Sequence, residues 1–435
     1  MGRSSARARH PWRAALALAL VIAVGASVWV LTRSTASGGG WDVAWRQCTN
    51  SGHVGPLPGT PTIGIVGVNN GRPYTTNPCL KSELDWAGSA AQVYINTNDP
   101  GPATARWPTT AQTGPKKCVL TKPNGTRATP SCAYDYGWNA AQSAYTTLTN
   151  ALVGQSKQPP SLEWWLDVES ANTWLSSTTL NTASIDGTIE YLNAQHVRSV
   201  GIYANQSDSH TIFSAASIFP TGTLSWLSTG ETTLVGGLSH CNSPGFTHTG
   251  VALVQYLPRS PVLDADARCV GYISSGPPNP VAGGGAAGLT VNLLQPASAG
   301  GVHLTLSSSS SGGRFSSTGP AGASSAKTLA ITIPATEHTA TFSYWDTHAG
   351  SPGITALGAL GPIANIVTIV PGPVSSLSIS PGSPTLSVGA AEAVAVTGHD
   401  KLGNAVASSL GPAWTVAPSA AATISRGPAG RVGLS

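Results

Sequence analysis

One stretch of the chain, residues 162–169 (LEWWLDVE), restricts the possible folds more than any other. It is aliphatic or aromatic at most positions, which is typical of a β-strand covered on both faces, as in a parallel sheet flanked by helices. In an extended strand, residues two apart point to the same side, about 6.6–6.8 Å apart along the axis. We therefore expect Asp167 and Glu169 to share one side at the C-terminal end of a buried strand.

Two carboxyl groups at a strand end suit the cleavage of a glycosidic bond. One carboxyl group protonates the leaving oxygen, while the other stabilises the developing charge or acts on water. The same spacing is equally compatible with a strand that simply runs into a polar loop. The choice between these two interpretations depends on the rest of the chain.

Short apolar segments alternate with helical patterns between residues 41 and 273. Further strands are predicted at residues 62–68, 92–97, 199–203, 224–227 and 251–256. Helical spacing predicts helices at residues 82–91, 139–152 and 184–196, the last with Ser184 as its N-cap. The alternation predicts an α/β domain, an irregular (β/α) barrel of TIM type, whose active site lies at the C-terminal ends of the strands. The side chains at or just past those ends are Asp42, Asn96, Asp167, Glu169, Tyr203, Asn205, Gln255 and Tyr256.

The composition changes after residue 273. Residues 274–287 are rich in Pro, Gly and Ala and predict a linker. Beyond them, short alternating segments are separated by Ser, Gly and Pro turns, which is the pattern of antiparallel β-sandwiches. We predict an all-β sandwich domain at residues 288–372 and a partial bacterial immunoglobulin-like domain at residues 373–435. This half has no cluster of ionisable side chains, so we assign it no chemistry.

The N-terminal segment predicts export. The first 33 residues contain five arginines and no acid, and residues 14–32 are almost continuously apolar. Residues 1–40 are therefore predicted to be a signal peptide or an uncleaved signal anchor followed by a linker, the only part that would touch a membrane. The remaining 17 basic and 18 acidic side chains nearly cancel, which argues against nucleic-acid binding.

All six cysteines lie between residues 48 and 269, an even number that predicts disulfides in an exported chain. Sequence order favours the pairs Cys48–Cys79, Cys118–Cys132 and Cys241–Cys269, although many other pairings are possible. No Cys-x-x-Cys pair occurs and the histidines are scattered, so no metal site is predicted.

Three short strings carry a resemblance to known glycosidases. WDV at residues 41–43, WLDVE at 165–169 and VQY at 254–256 resemble glycoside hydrolase family 25 lysozymes. Residues 41–272 resemble more closely the glycoside-hydrolase-like domain of unknown function of secreted bacterial proteins, also through CAYDYGWN at 132–139. The resemblance covers a little over half of the chain.

The resemblance implies roles for the acids at the strand ends. Glu169 would be the general acid that protonates the glycosidic oxygen, with its pKa raised by burial or by neighbouring acids. Asp167 would stabilise the oxocarbenium-like charge or position a nucleophile, and Asp42 would act as a second electrostatic partner across the barrel mouth. Asp266 would match the acid after the last strand, with Asp264 competing for that place.

Several aromatic and amide side chains are candidates for substrate binding. Tryptophans that could stack on sugar rings are Trp138, Trp165, Trp174 and Trp226, although most tryptophans in a barrel pack in its core. The strand-end candidates are Tyr203, Gln255 and Tyr256. Residues 257–261 (LPRSP) and an insertion at 99–131 depart from the lysozyme pattern and would reshape the groove.

The predicted function is an exported bacterial glycoside hydrolase, secreted or associated with the cell envelope. It would act on peptidoglycan or another polysaccharide by carboxylate acid/base catalysis, which requires no cofactor. The alternative is a non-catalytic glycan-binding or adhesion protein that keeps the barrel as a scaffold.

Overall fold

In the computed structural model, the described residues all belong to the unit formed by residues 39–435. The described residues are 40–49, 55–108, 114–118, 128–214, 217–247, 249–259, 263–276, 281–382, 385, 387–407, 415, 424–426 and 432–434. The predicted export segment lies outside them. Among the described helices, none is both long and apolar enough to span a bilayer.

The first part of this unit is a closed eight-stranded barrel. Its strands are β1 Gly40–Val43, β2 Gly64–Gly67, β3 Ala91–Asn96, β4 Glu163–Asp167, β5 Ser199–Ala204, β6 Leu224–Ser228, β7 Val251–Tyr256 and β8 Ala265–Arg268. Strands β1 to β7 are parallel, whereas β8 runs antiparallel to both of its neighbours, β7 and β1. The barrel thus differs from the predicted all-parallel type. Residues 257–264, which join β7 to β8, are too few for the crossover that a parallel neighbour requires.

Helices connect the parallel strands on the outside of the barrel. They are α1 Leu80–Ala87, α2 Pro130–Ala151, α3 Thr178–Ala194, α4 Gln206–Ile212 and α5 Leu234–Ser239, with short 3-10 helices at Trp45–Gln47, Gly88–Ala90, Gly101–Ala103, Pro159–Ser161 and His240–Asn242. The predicted N-cap of α3, Ser184, is wrong. The helix starts earlier, because Ser177 accepts a hydrogen bond from the Leu180 N–H, while Ser184 is buried within the helix.

Helix α2 also begins earlier than its apolar spacing predicts. Thr129 caps it by accepting a hydrogen bond from the Cys132 N–H at 3.3 Å, so the CAYDYGWN string lies inside the helix. The first turns of α2 face α3 and the loops beside it rather than a simple apolar core. The usual apolar periodicity is therefore missing there.

Two of the apolar clusters that hold the barrel together contain residues of β4. One lies between the strands and the helices and includes Trp164, Leu148 and Ile189. The other fills the barrel interior and includes Trp165, whose indole N–H donates to Gln92 Oε1 at 2.7 Å. Successive residues of a strand point to opposite faces, so adjacent tryptophans of β4 enter different clusters.

A β-sandwich follows the barrel with almost no linker. Its strands are β9 Gly271–Ser275, β10 Val281–Ala282, β11 Ala286–Leu293, β12 Val302–Ser308, β13 Arg314–Ser316, β14 Leu329–Ile333, β15 Thr339–Trp345, β16 Gly353–Gly358, β17 Gly361–Ile366 and β18 Ile369–Val370. Two four-stranded antiparallel sheets, β13-β15-β11-β9 and β14-β12-β16-β17, share one core, and β10 pairs with β18. The predicted boundary at 273 falls within β9, which pairs with β11. Among the described residues of the predicted linker, strands β9, β10 and β11 include 274–275, 281–282 and 286–287, and Gly283 and Gly284 lie in a turn.

The sandwich packs directly on the barrel. Ala364 of β17 belongs to the same buried cluster as Leu238 of α5 and Tyr256 of β7. Gly353 at the start of β16 packs against the side chain of Val235 in α5. The Cys241–Cys269 disulfide lies beside this contact and ties the end of the barrel to α5.

The final described strands form a separate sheet. They are β19 Ser376–Ser380, β20 Glu392–His399, β21 Ala405–Val406, β22 Ile424–Arg426 and β23 Val432–Leu434, in the order β19-β20-β23-β22 with β21 beside β20. The immunoglobulin-like assignment of residues 373–435 stays a prediction.

The structure contains three disulfides, Cys48–Cys79, Cys118–Cys132 and Cys241–Cys269, and these are the pairs that sequence order favours. The first joins the segment after β1 to the start of α1, so it braces the loops at the C-terminal mouth of the barrel.

Candidate active site

The main cleft opens at the C-terminal ends of the parallel strands. Its volume is about 910 Å³, within the range of small-molecule sites. It is lined by Asp42, Ala44, Trp45, Arg46, Gln47, Asn70, Gly71, Arg72, Thr75, Tyr94, Asn96, Asp167, Glu169, Ala171, Asn172, Tyr203, Trp226, Gln255, Leu263 and Asp264. Loops that follow several different strands therefore contribute to one open groove.

Asp167 and Glu169 lie on the same side at the end of β4, as their spacing predicts. Asp167 is the last residue of the strand and is buried, whereas Glu169 is half-buried. The two carboxyl groups lie close enough to influence each other's pKa, and the Asn96 amide at the end of β3 donates to Asp167. The Trp174 indole N–H donates to the Glu169 backbone oxygen at 2.7 Å, which fixes the loop behind the pair.

A second pair of carboxyl groups, Asp42 and Asp266, faces the first across the barrel. Asp42 accepts a hydrogen bond from Gln255 Nε2 at 2.9 Å, and the Tyr203 hydroxyl donates to Gln255 Oε1 at 2.7 Å. Asp266 lies behind Asp42, fully buried between β7 and β1. Asp264, its competitor in the sequence, is exposed at the cleft mouth.

Burial raises the pKa of all four acids. Burial, with the nearby negative charge of Asp264, raises the pKa of Asp42 to about 8. Burial, with the adjoining carboxyl of Asp42, holds the pKa of Asp266 well above its usual range. Asp42 and Asp266 therefore both favour the protonated form at neutral pH.

Asp167 and Glu169 titrate as a coupled pair. Burial, followed by the charge of Glu169, holds the pKa of Asp167 well above its usual range. Burial, followed by the charge of Asp208, raises the pKa of Glu169, while its hydrogen bond with Asp167 and the charge of Arg46 lower it. Two adjacent carboxyl groups cannot both ionise easily, so this pair retains a proton.

Aromatic side chains form the floor of the cleft. The ring of Trp226 lies 4.5 Å from the ring of Tyr203 and 5.6 Å from that of Trp165, measured between centroids. Tyr94, which the sequence reading did not select, completes the floor 6.5 Å from Trp226. The sequence could have predicted this position, because Tyr94 and Asn96 are two apart on β3 and therefore point to the same side.

Two predicted binding residues, Tyr256 and Trp138, lie away from the cleft. Gln255 points inward, so Tyr256 points outward and packs against Gly237 of α5. Trp138 lies on α2, where its ring stands 5.2 Å from that of Tyr191. Both residues serve packing.

Two further tryptophans proposed for sugar stacking also have structural roles. Trp165 is 1% exposed inside the barrel, and Trp174 packs against the cluster between strands and helices. Among the tryptophans proposed for stacking, Trp226 alone lines the cleft.

The sequence reading missed the wall formed after β1 and β2. Trp45, Arg46 and Arg72 line the cleft there. Their positions in the sequence could have indicated this, because each residue follows shortly after the C-terminal end of a parallel strand. Within the described part of the chain, the only close group of metal-ligand types is Cys48, Cys79 and Glu83, and its two cysteines are joined in a disulfide.

Comparison with protein families and with curated proteins finds no match to this sequence. Among solved structures, the chain is similar to the spore cortex lytic enzyme SleM of Clostridium perfringens, with 9% identity and a TM-score of 0.35 over 76% of this chain and 98% of that one. It is also similar to a muramidase from Trichobolus zukalii, with 14% identity and a TM-score of 0.34 over 53% and 93%. The S-layer protein SbsC, domains 5–6, aligns with 18% identity and a TM-score of 0.17 over 38% and 81%. With TM-scores this low, none of these likenesses decides what the cleft does.

Proposed function

We propose that this chain is an exported glycoside hydrolase that cuts peptidoglycan or another polysaccharide. The observation that carries the proposal is the Asp167–Glu169 pair at the bottom of an open cleft that has aromatic and amide walls. Glycosidase chemistry needs carboxyl groups that keep a proton near neutral pH, and the burial of this pair provides that property. The three disulfides support export, because disulfides persist in oxidising compartments.

In this proposal the proton that the Asp167–Glu169 pair retains is delivered through Glu169. Glu169 is more accessible than Asp167, so its oxygen can reach a glycosidic oxygen that enters the cleft. Departure of the leaving group creates positive charge on the sugar ring, which the carboxylate of Asp167 then stabilises. The Asn96 amide holds Asp167 in position for that role.

The opposite pair has an electrostatic role. The hydrogen-bond chain from Tyr203 through Gln255 holds Asp42 at the cleft surface. Asp42, with its pKa raised to about 8, ionises mainly above neutral pH, and its negative charge then adds to the stabilisation of the developing positive charge. Asp266 is too deeply buried to touch substrate, so it acts through Asp42.

Sugar release by the full chain, produced with its disulfides, tests the proposal. Purified peptidoglycan and a panel of polysaccharides are incubated with the wild type and with Glu169→Gln, and new reducing ends are counted. We expect release by the wild type and a loss of at least about 100-fold in the variant, because the amide cannot donate the catalytic proton.

Two other outcomes are informative. Glycan binding without cleavage by either protein would reject the hydrolase on those substrates and favour the glycan-binding alternative. Equal cleavage by both proteins would keep the activity but remove Glu169 from the acid role.

A positioning role is expected for Asn69. Its buried side chain accepts from the Asn96 N–H at 3.1 Å and donates to the Asn96 carbonyl at 3.0 Å, which fixes the strand end beside Asp167. Asn69→Ala should lower kcat by about tenfold with little change in KM, because Asn96 loses its orientation toward Asp167. The acidic limb of the pH profile should also move, since the Asn96 bond lowers the pKa of Asp167. A drop in Tm with unchanged kcat in the folded fraction would contradict this role. Asn193→Ala, exposed on α3 and not among the residues that line the cleft, is the control.

A further inference from the structure

One wall of the cleft is formed by the segments that follow β1 and β2. The first segment is the 3-10 helix Trp45–Gln47, and the second is the loop that carries Arg72. The Cys48–Cys79 disulfide joins the two segments. Within the second, the Thr75 hydroxyl donates to the Arg72 carbonyl at 2.6 Å and accepts from the Asn70 N–H at 2.9 Å. The wall is therefore braced by a covalent bond and by local hydrogen bonds.

This wall carries an aromatic ring and two arginines. Trp45 is 37% exposed, and the guanidinium carbon of Arg46 lies 5.7 Å from the centre of its ring. Gly71, at φ +69°, packs so closely on the Trp45 indole that a side chain there would collide with it. Arg72 follows directly, so the indole and both arginines belong to one continuous surface.

Neither arginine is neutralised by an ion pair. All 18 carboxylate side chains are among the described residues, and none has an oxygen within 4.0 Å of a nitrogen of Arg46 or Arg72. At the opposite mouth of the barrel, by contrast, Arg198 and Arg268 both pair with Glu163. The charge of Arg46 does act at longer range on Glu169 and Asp264. Both guanidinium groups are exposed in the cleft and free of a direct ion pair with the described acids, so they are available to a ligand.

We infer that Trp45, Arg46 and Arg72 form a subsite for a sugar that carries an anionic group, a carboxylate or a phosphate. The inference rests on the proposed function, since it names the class of glycan that the cleft takes. Guanidinium groups bind both anions through paired N–H bonds, and an exposed indole stacks on a sugar ring. Arg46 and Arg72 are the basic side chains among the residues that line the cleft, so this wall suits an anion.

Binding measured by calorimetry tests the inference in the full chain carrying Glu169→Gln, which prevents turnover. The probes are chitotetraose, its 6-phosphorylated form, and a hyaluronan tetrasaccharide that carries carboxylates. We expect at least one acidic probe to bind about tenfold more tightly than chitotetraose at about 50 mM salt, with the preference shrinking at about 500 mM. Which acidic probe binds identifies the anion.

Charge variants assign the preference to this wall. Arg46→Gln and Arg72→Gln should each reduce the preference for the acidic probe by about fivefold or more. The affinity for chitotetraose should stay within about twofold of that of the parent protein. Arg198→Gln, at the opposite mouth, is the matched control and should keep it. No preference for an acidic probe, or an equal loss in the control, would overturn the inference.

The test is separable from that of the hydrolase. Acidic preference without sugar release by the wild type would keep the subsite and reject the hydrolase. Sugar release by the wild type without a preference for an acidic probe would keep the hydrolase and reject the subsite.

Discussion

Gly187→Ala is expected to unfold much of the barrel at temperatures where the wild type is folded. Gly187 of α3 lies against the backbone carbonyl of Tyr134 in α2, and Gly137 of α2 lies in the same way against the carbonyl of Ser184. A methyl group at either position would overlap a backbone oxygen, which cannot move aside as a side chain can. The two helices would have to separate along their shared surface.

The sign of the change in stability shows whether helix packing or helix propensity dominates at this position. Alanine in a helix interior is normally more stable than glycine by about 0.5–1 kcal/mol. Because α2 and α3 are in backbone contact at Gly187, the substitution should instead lower the free energy of unfolding by about 3–5 kcal/mol, as severe overpacking does. Thermal unfolding followed by circular dichroism measures the difference. Gly59→Ala, where a methyl group would meet no atom within 4 Å, is the control, and an unchanged or raised Tm for Gly187→Ala would refute the close crossing.

Asp266→Asn is expected to stabilise the protein increasingly as the pH rises. The folded protein keeps Asp266 protonated because of burial and the adjoining Asp42, whereas the unfolded chain releases that proton at the ordinary pKa. The folded state therefore binds more protons, and the free energy of unfolding falls with rising pH by up to about 1.4 kcal/mol per pH unit. An asparagine has no proton to release, so the variant escapes this loss.

The measurement is Tm from about pH 4, near the ordinary pKa of an aspartic acid, upward to about pH 8. The gain in Tm should be small at the acidic end and largest at the alkaline end. Asp85→Asn, on the exposed surface of α1, should show no such trend. A gain that is independent of pH would mean that Asp266 is not protonated in the folded state. Activity should fall in the same variant, because Asp42 loses its acidic neighbour.

These opposite effects on stability and activity are typical of functional sites. Asp167 and Asp266 are acids buried where apolar residues would be more stable, and Asp42 is partly buried beside Asp266. A protein gains nothing in stability by burying several carboxyl groups at one barrel mouth. Their presence there fits a catalytic requirement for raised pKa values.

The sequence alone determined the features that depend on local pattern. The apolar run ending in Asp167 and Glu169 predicts both the strand and the shared side of the two acids, because side-chain direction alternates along any strand. The alternation of apolar segments with helical spacing likewise predicts the mixed α/β domain.

Only the tertiary structure decided what depends on distant segments meeting. The direction of β8 follows from the short connection after β7, and it places Asp266 behind Asp42 with Asp264 at the mouth. Tyr256 and Trp138 look suitable in the sequence, but the pleat of β7 and the packing of α2 turn them away from the cleft. The wall of Trp45, Arg46 and Arg72 depends on a disulfide and on a glycine contact between two loops. The local sequence pattern predicts which residues lie at strand ends, but only the closed barrel determines which of these residues come into contact.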